Sequence, residues 1–364
     1  MSERKLKIVF LFGGIGLGGA EVQLCRYLSH LPECFEVSVM CMDVDPSPEQ
    51  RKVLFEMFPH LEVVFRSPRR MNALRFAKLF FAVRKENPDV IHTYLDGTAG
   101  VFGGLLAIML RRKWIHSSLT LEPKTSIFQS RLLRLIIRRA DAVVGNAQAI
   151  VDKFVALGLR PADVHLILNG VDTRIFCSAN RARKDPFTFG FLCKHRVEKR
   201  IDLLLDAVEI LARDDCSFRL LLGGEGPETD SVRERVIQSD LLRKHVEMIG
   251  FVSEPSQFLQ SIDALVLASD SEGTPNAILE AMSCGVPVVS TDIVNIRGIV
   301  AQSGWLCKRG DAESLAGVLR LAFSASSQEL ETRSFNARQY IVDHFDLELH
   351  SGVFWKLHEE VAKR

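Results

Sequence analysis

The chain has 364 residues, of which 47% are hydrophobic and 25% are charged, and its formal net charge is +1. This composition excludes a disordered or fibrous protein and suits two globular domains. The eight cysteines form no Cys-x-x-Cys pair, so we expect thiols in a reducing, cytoplasmic compartment rather than disulfides or a zinc site.

The most apolar segments are too short for targeting or for crossing a membrane. The N-terminal run LKIVFLF (6–12) leads directly into glycines and lacks the pattern of a signal peptide. The run AGVFGGLLAIML (99–110) has twelve residues, whereas a helix needs about 20 to span a bilayer. It therefore predicts a buried helix.

Strand patterns alternate with amphipathic helix patterns in both halves of the chain. In the first half a helix from about residue 20 to 30 follows the strand at 6–12. Further strands are predicted at VSVMCM (37–42), DVIH (89–92), KWIHSSL (113–119), DAVVGN (141–146) and HLILNG (165–170). Such alternation is typical of a parallel sheet covered by helices.

The same pattern restarts after a predicted linker at 173–185. The predicted strands of the second half are FTFGFLC (187–193), FRLLLGG (218–224), VEMIGFV (246–252), ALVLAS (264–269) and VPVVST (286–291). The sequence thus predicts two doubly wound, Rossmann-like α/β domains, 1–175 and 176–364, facing across a cleft. An alternative for the last helix is that it packs back on the first domain. Ligands of such sheets bind at the carboxyl ends of strands.

A glycine loop, GGIGLGGAE (13–21), follows the first strand. It matches the dinucleotide fingerprint, and Asp43 lies where a ribose-binding acid would follow the second strand. Gly18 and Gly19 would let the backbone approach a phosphate at the start of the next helix. Taken alone, the loop is compatible with an NAD-dependent enzyme or with a plain tight turn.

The segment SEGTPNAILEAMSCGVPVVSTD (271–292) places two carboxylates around a predicted helix start. Glu272 and Gly273 fall in the loop that follows a buried strand. Thr274 and Pro275 have the residue types of an N-cap and a first helical residue. This loop is therefore expected at the carboxyl end of the sheet.

The start of this helix is predicted to bind an anion. The amides of Asn276 and Ala277 belong to the first turn, where negative charge is favoured. Glu280 lies about one and a half turns further on and can lean back toward the same ligand. A carboxylate at that depth gains nothing from the helix dipole, so a hydroxyl-rich ligand explains it better than a solvated helix face. Two carboxylates around a phosphate site suit a nucleotide sugar.

The order E-G-x-P-x-x-x-x-E-A-x-x-x-G-x-P-V-V in this segment resembles the signature of family 4 of the retaining glycosyltransferases, which have two Rossmann-like domains (the GT-B fold). Four further segments resemble motifs of that family, in the same order: GGIGLGGAE (13–21), ADAVVGNAQAI (140–150), LNGVD (168–172) and LLLGGEGPE (220–228). The resemblance covers nearly the whole chain.

The resemblance implies that Lys194 and Lys199 hold the donor diphosphate. Family members usually have an Arg and a Lys here, each beside a glycine. In CKHRVEKRIDLLL the Arg is replaced by Lys194, and the glycines by Cys193 and Arg200. Charge is kept, but the bidentate guanidinium fork is lost at 194. Three neighbouring side chains are possible substitutes: His195, Arg196 and Arg200.

The resemblance also implies a histidine close to the reacting sugar. The family's T-x-H position falls on Leu119 of HSSLT. We therefore expect His116 or His92 to lean into the site instead, and we take His116 as the catalytic candidate. Gly298 stands where the family often has a Glu.

The activity implied is transfer of a sugar from a nucleoside-diphosphate sugar, such as a UDP- or GDP-sugar, to an acceptor hydroxyl with retention. Glu272 would orient the sugar and stabilise positive charge on its ring, Glu280 would bind ribose hydroxyls, and Lys199 would stabilise the leaving diphosphate. No metal or other cofactor is expected, because this family generally needs none. The alternatives are an NAD-dependent enzyme and a non-catalytic paralogue that binds a nucleotide sugar or a partner.

The charge is unevenly divided between the halves. Residues 1–175 hold 24 Lys and Arg against 17 Asp and Glu (+7), and the remainder holds 22 against 28 (−6). The basic residues include RSPRR (66–70), RRK (111–113) and RLLRLIIRRAD (131–141). We expect a saccharide or lipid-linked acceptor from polysaccharide or lipopolysaccharide assembly, an anionic membrane surface contacted peripherally, and no nucleic acid. The alternative for 131–141 is a helix that packs on the sheet with its arginines in water.

Overall fold

The computed structural model describes residues 4–14, 18–43, 56, 61–63, 72–121, 126–178, 185–214, 216–301 and 303–364. The chain forms two compact units. Unit 1 is 1–170 with 347–364, and unit 2 is 171–346. The basic segment at 66–70, the centre of the glycine loop (15–17) and residues 179–184 of the predicted linker lie outside the described residues.

Unit 1 is built on a parallel sheet with the strand order β3-β2-β1-β4-β5-β6-β7. The strands are β1 (Leu6–Gly14), β2 (Phe35–Asp43), β3 (Leu61–Val63), β4 (Val90–Tyr94), β5 (Lys113–Ser118), β6 (Ala142–Gly145) and β7 (Val164–Leu166). The order reverses between β1 and β4, as it does in doubly wound folds. Every residue of β4 is buried, which is expected of a parallel strand covered on both faces.

One face of this sheet is covered by a layer of helices. This layer consists of α2 (Ala73–Glu86), α3 (Gly104–Leu110), α4 (Ile127–Ile136) and α5 (Gln148–Ala156), whereas α1 (Gly19–Leu28) lies on the opposite face. Leu79, Leu106, Leu133 and Phe154 bring α2 to α5 into one core cluster with the sheet. The predicted buried helix at 99–110 is confirmed as a π-helical turn, Ala99–Gly103, that continues into α3.

Unit 2 repeats this design with a six-stranded sheet in the order β10-β9-β8-β11-β12-β13. The strands are β8 (Phe187–Leu192), β9 (Phe218–Gly223), β10 (Val246–Gly250), β11 (Ala264–Leu267), β12 (Val288–Thr291) and β13 (Trp305–Cys307). The helices are α6 (Ile201–Ala212), α7 (Thr229–Gln238), α8 (Asp240–His245), α9 (Pro255–Gln260), α10 (Asn276–Ser283), α11 (Val294–Val300), α12 (Ala312–Ser324) and α13 (Ser327–His344). The reversal falls between β8 and β11.

The last helix, α14 (Leu347–Lys363), belongs to unit 1. It packs beside α1 on the sheet face opposite to α2–α5. Phe354 stacks on Tyr27 with ring centroids 4.2 Å apart, and the Trp355 indole donates a 3.0 Å hydrogen bond to the Tyr27 carbonyl. The end of the chain thus completes the core of unit 1.

A pair of histidines links α14 to the sheet inside this core. His358 Nδ1 donates to the Phe354 carbonyl (2.8 Å), so its Nε2 accepts from His92 Nδ1 (2.9 Å). His92 Nε2 then accepts from the Ser117 hydroxyl (2.7 Å). Both rings are fully buried. Burial lowers the pKa of His92 well below 6.5, with His358 adding to the effect, and burial lowers the pKa of His358 to about 4. Both rings are therefore neutral.

The predicted fold class, two doubly wound α/β domains, is confirmed. The strands β3 and β13 were not predicted, because three residues are too few to show a period. The strand predicted at 165–170 is shorter, since β7 ends at Leu166. In the part of the chain that the structure describes, no helix combines the length and apolar character that a membrane span requires.

We predict that acid destabilises the protein through the His92–His358 pair. The folded rings are neutral, whereas unfolded histidines take up a proton below about pH 6.5. Stability should therefore fall as the pH drops from 6.5 toward 4, by up to about 1.4 kcal/mol per pH unit for each ring. Urea denaturation at pH 7 and pH 5 measures this, and His358→Gln should lose less stability than the wild type over that interval.

The matched control is His344→Gln, which removes an exposed histidine from α13 and should keep the wild-type pH dependence. Equal losses in the wild type and His358→Gln would contradict a neutral buried pair.

Candidate functional site

Two loops of unit 2 meet where its strand order reverses. β8 and β11 are hydrogen-bonded neighbours, and the chain leaves their carboxyl ends into residues 193–200 and 268–275. In doubly wound sheets this is the position where ligands bind. The donor-binding residues predicted in the second half all lie in these loops or in the helix α10 that follows the second loop.

An ion pair joins the two loops. Lys199 ends a one-turn 3-10 helix, and its Nζ pairs with the Glu272 carboxylate. The two side chains are 18% and 11% exposed. Asn295 Nδ2 donates to the Glu272 carbonyl (2.9 Å) and fixes that loop. Burial alone would lower the pKa of Lys199, but the electrostatic influence of Cys193 and Glu272 and the hydrogen bond to Glu272 raise it. The ammonium is therefore charged.

Glu280 belongs to the same electrostatic cluster. Burial raises the pKa of the Cys193 thiol to about 11; Lys199 opposes this shift, whereas Glu272 and Glu280 add to it. The side chain of Glu280 is buried in α10. It is thus not the solvated helix residue that was the alternative from sequence. Lys199 thus lies with two acids, Glu272 and Glu280, near the carboxyl ends of β8 and β11.

The start of α10 differs by one residue from the prediction. Pro275 is the N-cap, with an extended ψ of 108°, and Asn276 is the first helical residue. The extended ψ removes Pro275 from the helix and displaces Thr274 from the cap. The first intrahelical amides to find an acceptor are those of Ile278 and Leu279, both bonded to the Pro275 carbonyl (3.1 and 3.3 Å).

The amides that precede them face the end of the helix. Gly273 lies in the loop, and Asn276 and Ala277 form the first turn. The N–H groups of a helix's first turn point toward its N-terminal end, where the helix dipole favours an anion. The phosphate-binding assignment of these three residues stays a prediction.

Arg200 organises the β11 loop instead of remaining available to a ligand. Its Nη1 donates to both Asp270 carboxylate oxygens (3.3 and 3.2 Å), and its Nε and Nη2 bond Asp202. The Asp270 amide donates to the Glu198 carbonyl (3.0 Å), which ties the two loops together a second time. Sequence reasoning did not identify Asp270. Its position two residues before Glu272, directly after a strand, was the available signal.

The other basic residues of this loop are placed differently. Lys194 lies two residues beyond β8 and is half-buried. His195 is fully buried, and its Nδ1 is 3.1 Å from the Thr229 hydroxyl. Arg196 is exposed, with Nη1 3.8 Å from Glu198. Of the two arginines among the possible substitutes, Arg196 has the more exposed side chain.

In unit 1, the glycine loop leads into α1 as expected. Gly18 is the N-cap in an extended conformation, and Gly19 is the first helical residue. A Cβ atom on Gly18 would lie 2.8 Å from Glu21 Oε2, the far end of a flexible side chain that can move aside, so crowding alone does not require glycine here. On the other side of the loop, Gly13 packs against Thr98 and Ala99, where a Cβ would be 3.2 Å from Thr98 Cβ. The donor-binding role of Gly18 and Gly19 stays a prediction.

Neither histidine leans into an open site, contrary to the expectation for His116 or His92. Both rings are fully buried. His92 is bonded to His358 and Ser117 as described above. His116 Nε2 donates to Asp96 (2.9 Å), and its Nδ1 is 2.9 Å from the Thr93 hydroxyl. These rings are held by the core because their strands are covered on both faces. The catalytic role of His116 stays a prediction.

Sequence reasoning did not identify Asp96, although its carboxylate is hydrogen-bonded to His116. Asp96 follows β4 and lies between Leu95 (φ 68°) and Gly97 (φ 88°). A leucine in the left-handed region costs about 1–2 kcal/mol, so the backbone of this loop is constrained. Burial alone would raise the pKa of Asp96, but His116, Lys153 and Ser118 together lower it, so the carboxylate is ionised. An Asp-Gly pair directly after a strand was the available signal.

Comparison with known families covers most of the chain. The family described as Glycosyltransferase Family 4 matches residues 17–175, and the family described as Glycosyl transferases group 1 matches residues 186–323. The two matches follow each other along the chain and correspond to the two sheets.

Two relatives illustrate the similarity. The protein named as colanic acid biosynthesis glycosyltransferase WcaL in Salmonella typhimurium is 28% identical over 258 residues, 68% of this chain and 62% of the relative. The chain therefore aligns with about three fifths of that relative. The N-acetylgalactosamine-N,N'-diacetylbacillosaminyl-diphospho-undecaprenol 4-alpha-N-acetylgalactosaminyltransferase of Campylobacter jejuni is 23% identical over 305 residues, 78% of this chain and 80% of the relative.

The fold is shared with solved structures. HepE of Anabaena, crystallised with UDP and glucose, superposes with a TM-score of 0.82 at 21% identity, covering 98% of this chain and 100% of HepE. At this identity the likeness concerns the fold. Together with the two family matches, it shows that the chain belongs to the group 1, family 4 glycosyltransferases, which have the GT-B fold.

Proposed function

We propose that the protein transfers a sugar from a nucleoside-diphosphate sugar to an acceptor hydroxyl, with retention at the anomeric carbon. The observation that carries this proposal is the cluster of Lys199, Glu272 and Glu280 at the start of α10, where β8 and β11 end. It combines a cation for phosphate with two carboxylates for hydroxyl groups. HepE, whose structure contains UDP and glucose, supports a UDP-sugar as donor, and a GDP-sugar is the alternative.

Each residue has a proposed part in the reaction. Glu280 accepts hydrogen bonds from ribose hydroxyls. Glu272 orients the donor sugar and stabilises positive charge as the bond to the phosphate breaks. Lys199, Lys194 and the amides at the start of α10 stabilise the charge that develops on the leaving diphosphate. No metal is assigned to this step, because these groups supply positive charge.

No side chain is assigned as the base. The leaving phosphate takes the acceptor proton as it departs from the same face of the sugar, which accounts for retention. In unit 1, His116 is proposed to act through Asp96, which it holds in place (2.9 Å). Gly18 and Gly19 are proposed to let the donor approach the backbone.

The acceptor is proposed to be a saccharide or a lipid-linked saccharide. WcaL is named for colanic acid biosynthesis, and the Campylobacter enzyme is named for a diphospho-undecaprenol substrate. These names support a role in bacterial polysaccharide or lipopolysaccharide assembly. With a lipid-linked acceptor we also propose a cytoplasmic location and peripheral contact with the inner face of the membrane.

The two alternative functions considered from the sequence have less support. The family matches do not favour an NAD-dependent enzyme. A non-catalytic paralogue is supported by the departures at Cys193, Arg200 and Gly298, but Arg200 keeps the left-handed backbone (φ 51°) that the family's glycine would supply. Arg200 thus keeps the backbone conformation of the loop, and we therefore propose an active enzyme rather than a non-catalytic paralogue.

Glu280→Gln should weaken nucleotide-sugar binding about ten- to a hundredfold. The change replaces a charged acceptor of ribose hydrogen bonds with a neutral amide of the same size, and such a bond contributes about 1.5–3 kcal/mol. Titration calorimetry with a UDP-sugar and a GDP-sugar measures the loss. Glu234→Gln, at an exposed position of α7, is the control and should bind as the wild type does. Unchanged donor affinity in folded Glu280→Gln would rule out the ribose assignment.

Lys199→Ala should lower kcat more than it lowers stability. Removing one donor to a developing negative charge costs about 10²–10³ in rate. Turnover is followed by nucleotide release in the presence of acceptor, and thermal unfolding is measured in parallel. Lys244→Ala, at an exposed lysine of α8, should leave both unchanged. Full turnover by Lys199→Ala would assign the diphosphate to other basic residues of the loop.

Unit 1 should bind anionic vesicles at low salt. Arg131, Arg134 and Arg138 are exposed on or just after α4, beside the exposed apolar Phe128 and Leu135. Each basic residue near such a surface contributes on the order of 1 kcal/mol. Binding should weaken at 1 M salt, where screening shortens to about 3 Å. Co-sedimentation with phosphatidylglycerol and phosphatidylcholine vesicles at both salt concentrations measures it.

Replacing those three arginines with Gln should reduce vesicle binding and leave donor affinity intact. The matched control replaces three exposed arginines of unit 2: Arg213, Arg233 and Arg243. No sedimentation of the wild type with anionic vesicles at low salt would refute the proposal. Binding that ignores both salt and lipid charge would replace it with apolar insertion.

A further inference from the structure

Side chains from three other segments hold the backbone of the loop that carries Glu272. This loop (268–275) follows β11, and three of its carbonyl groups accept hydrogen bonds from β12, from α11 and from the loop after β13. The bonds run from Thr291 Oγ1 to the Ser269 carbonyl (2.7 Å), from Asn295 Nδ2 to the Glu272 carbonyl (2.9 Å) and from Arg309 Nη1 to the Asp270 carbonyl (3.2 Å). The backbone of the loop is thus fixed from the β12 side of the sheet.

The acidic side chains of the same loop are held from the other side. β11 lies between β8 and β12 in the sheet. Lys199 pairs with the Glu272 carboxylate and Arg200 pairs with that of Asp270, and both cations follow β8. Glu272 is therefore anchored twice, at its carboxylate by Lys199 and at its carbonyl by Asn295.

The two anchors of Glu272 respond differently to a donor. In the proposed function Lys199 stabilises the diphosphate, so an incoming nucleotide draws the ammonium away from the Glu272 carboxylate. The carboxamide of Asn295 is neutral and donates to a backbone carbonyl. Because charged donors form the stronger bonds to phosphate, the nucleotide competes for Lys199 and leaves the bond of Asn295 in place. That bond holds the backbone of Glu272 after the ion pair has opened.

The helix to which Asn295 belongs does not explain this residue. The N-cap of α11 is Ile293, and Asn295 is the second helical residue. Asparagine is favoured at the N-cap itself, whereas inside a helix it is less favourable than alanine. The contact with the Glu272 carbonyl therefore accounts for an asparagine here better than the helix does.

We propose that Asn295 is a positioning residue, which keeps the Glu272 carboxylate at the donor sugar when Lys199 turns to the diphosphate. The inference rests on the proposed function, because it assumes that Glu272 contacts the sugar and that Lys199 contacts the phosphates. It adds a residue outside the two ligand-binding loops. It also adds a step, in which the ion pair opens while the backbone of Glu272 stays in place.

The test compares nucleotides with and without a sugar. UDP, UDP-glucose, UDP-N-acetylglucosamine, GDP and GDP-mannose are titrated by calorimetry into the whole chain. Asn295→Ala should weaken binding of the sugar nucleotides that the wild type binds about tenfold, as expected when a hydrogen bond to a charged group is misaligned. It should leave the affinity for the corresponding UDP or GDP unchanged, because Glu272 is not proposed to contact that part of the donor.

A second variant and a matched control accompany this substitution. Asn295→Leu keeps the branched shape of the side chain without its hydrogen-bond donor, and it should show the same selective loss. Asn336→Ala makes the alanine exchange at an exposed position of α13 and should bind every nucleotide as the wild type does. Thermal unfolding, measured in parallel, shows whether each variant is folded.

The outcomes separate this inference from the proposed function. A loss confined to the sugar nucleotides in both Asn295 variants supports it. Equal losses with and without the sugar, a selective loss in one variant alone, or failure of both variants to fold would assign Asn295 a structural role and overturn it. Unchanged affinities would also overturn it, and in all these cases the proposed function stands. A wild type that binds no sugar nucleotide contradicts the proposed function itself, and the inference falls with it.

Discussion

The ion pair between Lys199 and Glu272 is the interaction on which the donor site depends. It joins the loops that follow β8 and β11, and the bond from the Asp270 amide to the Glu198 carbonyl joins them again. Both side chains are only partly exposed, so separating the two charges without giving them new partners is unfavourable. A ligand that enters must therefore compensate both charges. A diphosphate does so for Lys199, and a sugar hydroxyl or a developing positive charge does so for Glu272, so the site favours ligands that carry both.

The fold and the two acids of unit 2 could be predicted from the sequence because each is indicated by residues that lie close together in the chain. Strand periodicity is visible within six residues, and Glu272 and Glu280 are eight positions apart around one helix start. The pairing of Lys199 with Glu272 spans 73 positions, and that of Arg200 with Asp270 spans 70. Such contacts follow from the register of β8 and β11, which no local pattern encodes. For the same reason the burial of His92 depended on α14, 266 residues away.

The departures from the family pattern have different physical consequences. Arg200 replaces a glycine yet adopts φ 51°, at a cost of about 1–2 kcal/mol, and its side chain forms ion pairs with Asp202 and Asp270. At Gly298 a Cβ atom would meet nothing within 4 Å. The absence of the family's Glu is therefore no consequence of crowding, and a longer side chain fits there. The change at position 200 alters the charge of the loop, whereas Gly298 leaves space in the second half of α11.

The two units each place an acid and a lysine near strand ends, but the spacing differs. Lys199 and Glu272 are in direct contact, so a neutral hydroxyl cannot enter between them without breaking the pair. Lys153 Nζ and Asp96 Oδ2 are 3.8 Å apart, and the Asp96 side chain is only 4% exposed. His116 and Ser118 donate hydrogen bonds to the two oxygens of the Asp96 carboxylate. The carboxylate is therefore stabilised without direct contact with the lysine. The two pairs thus differ in how the acid is held: Glu272 pairs directly with its lysine, whereas Asp96 is held by His116 and Ser118.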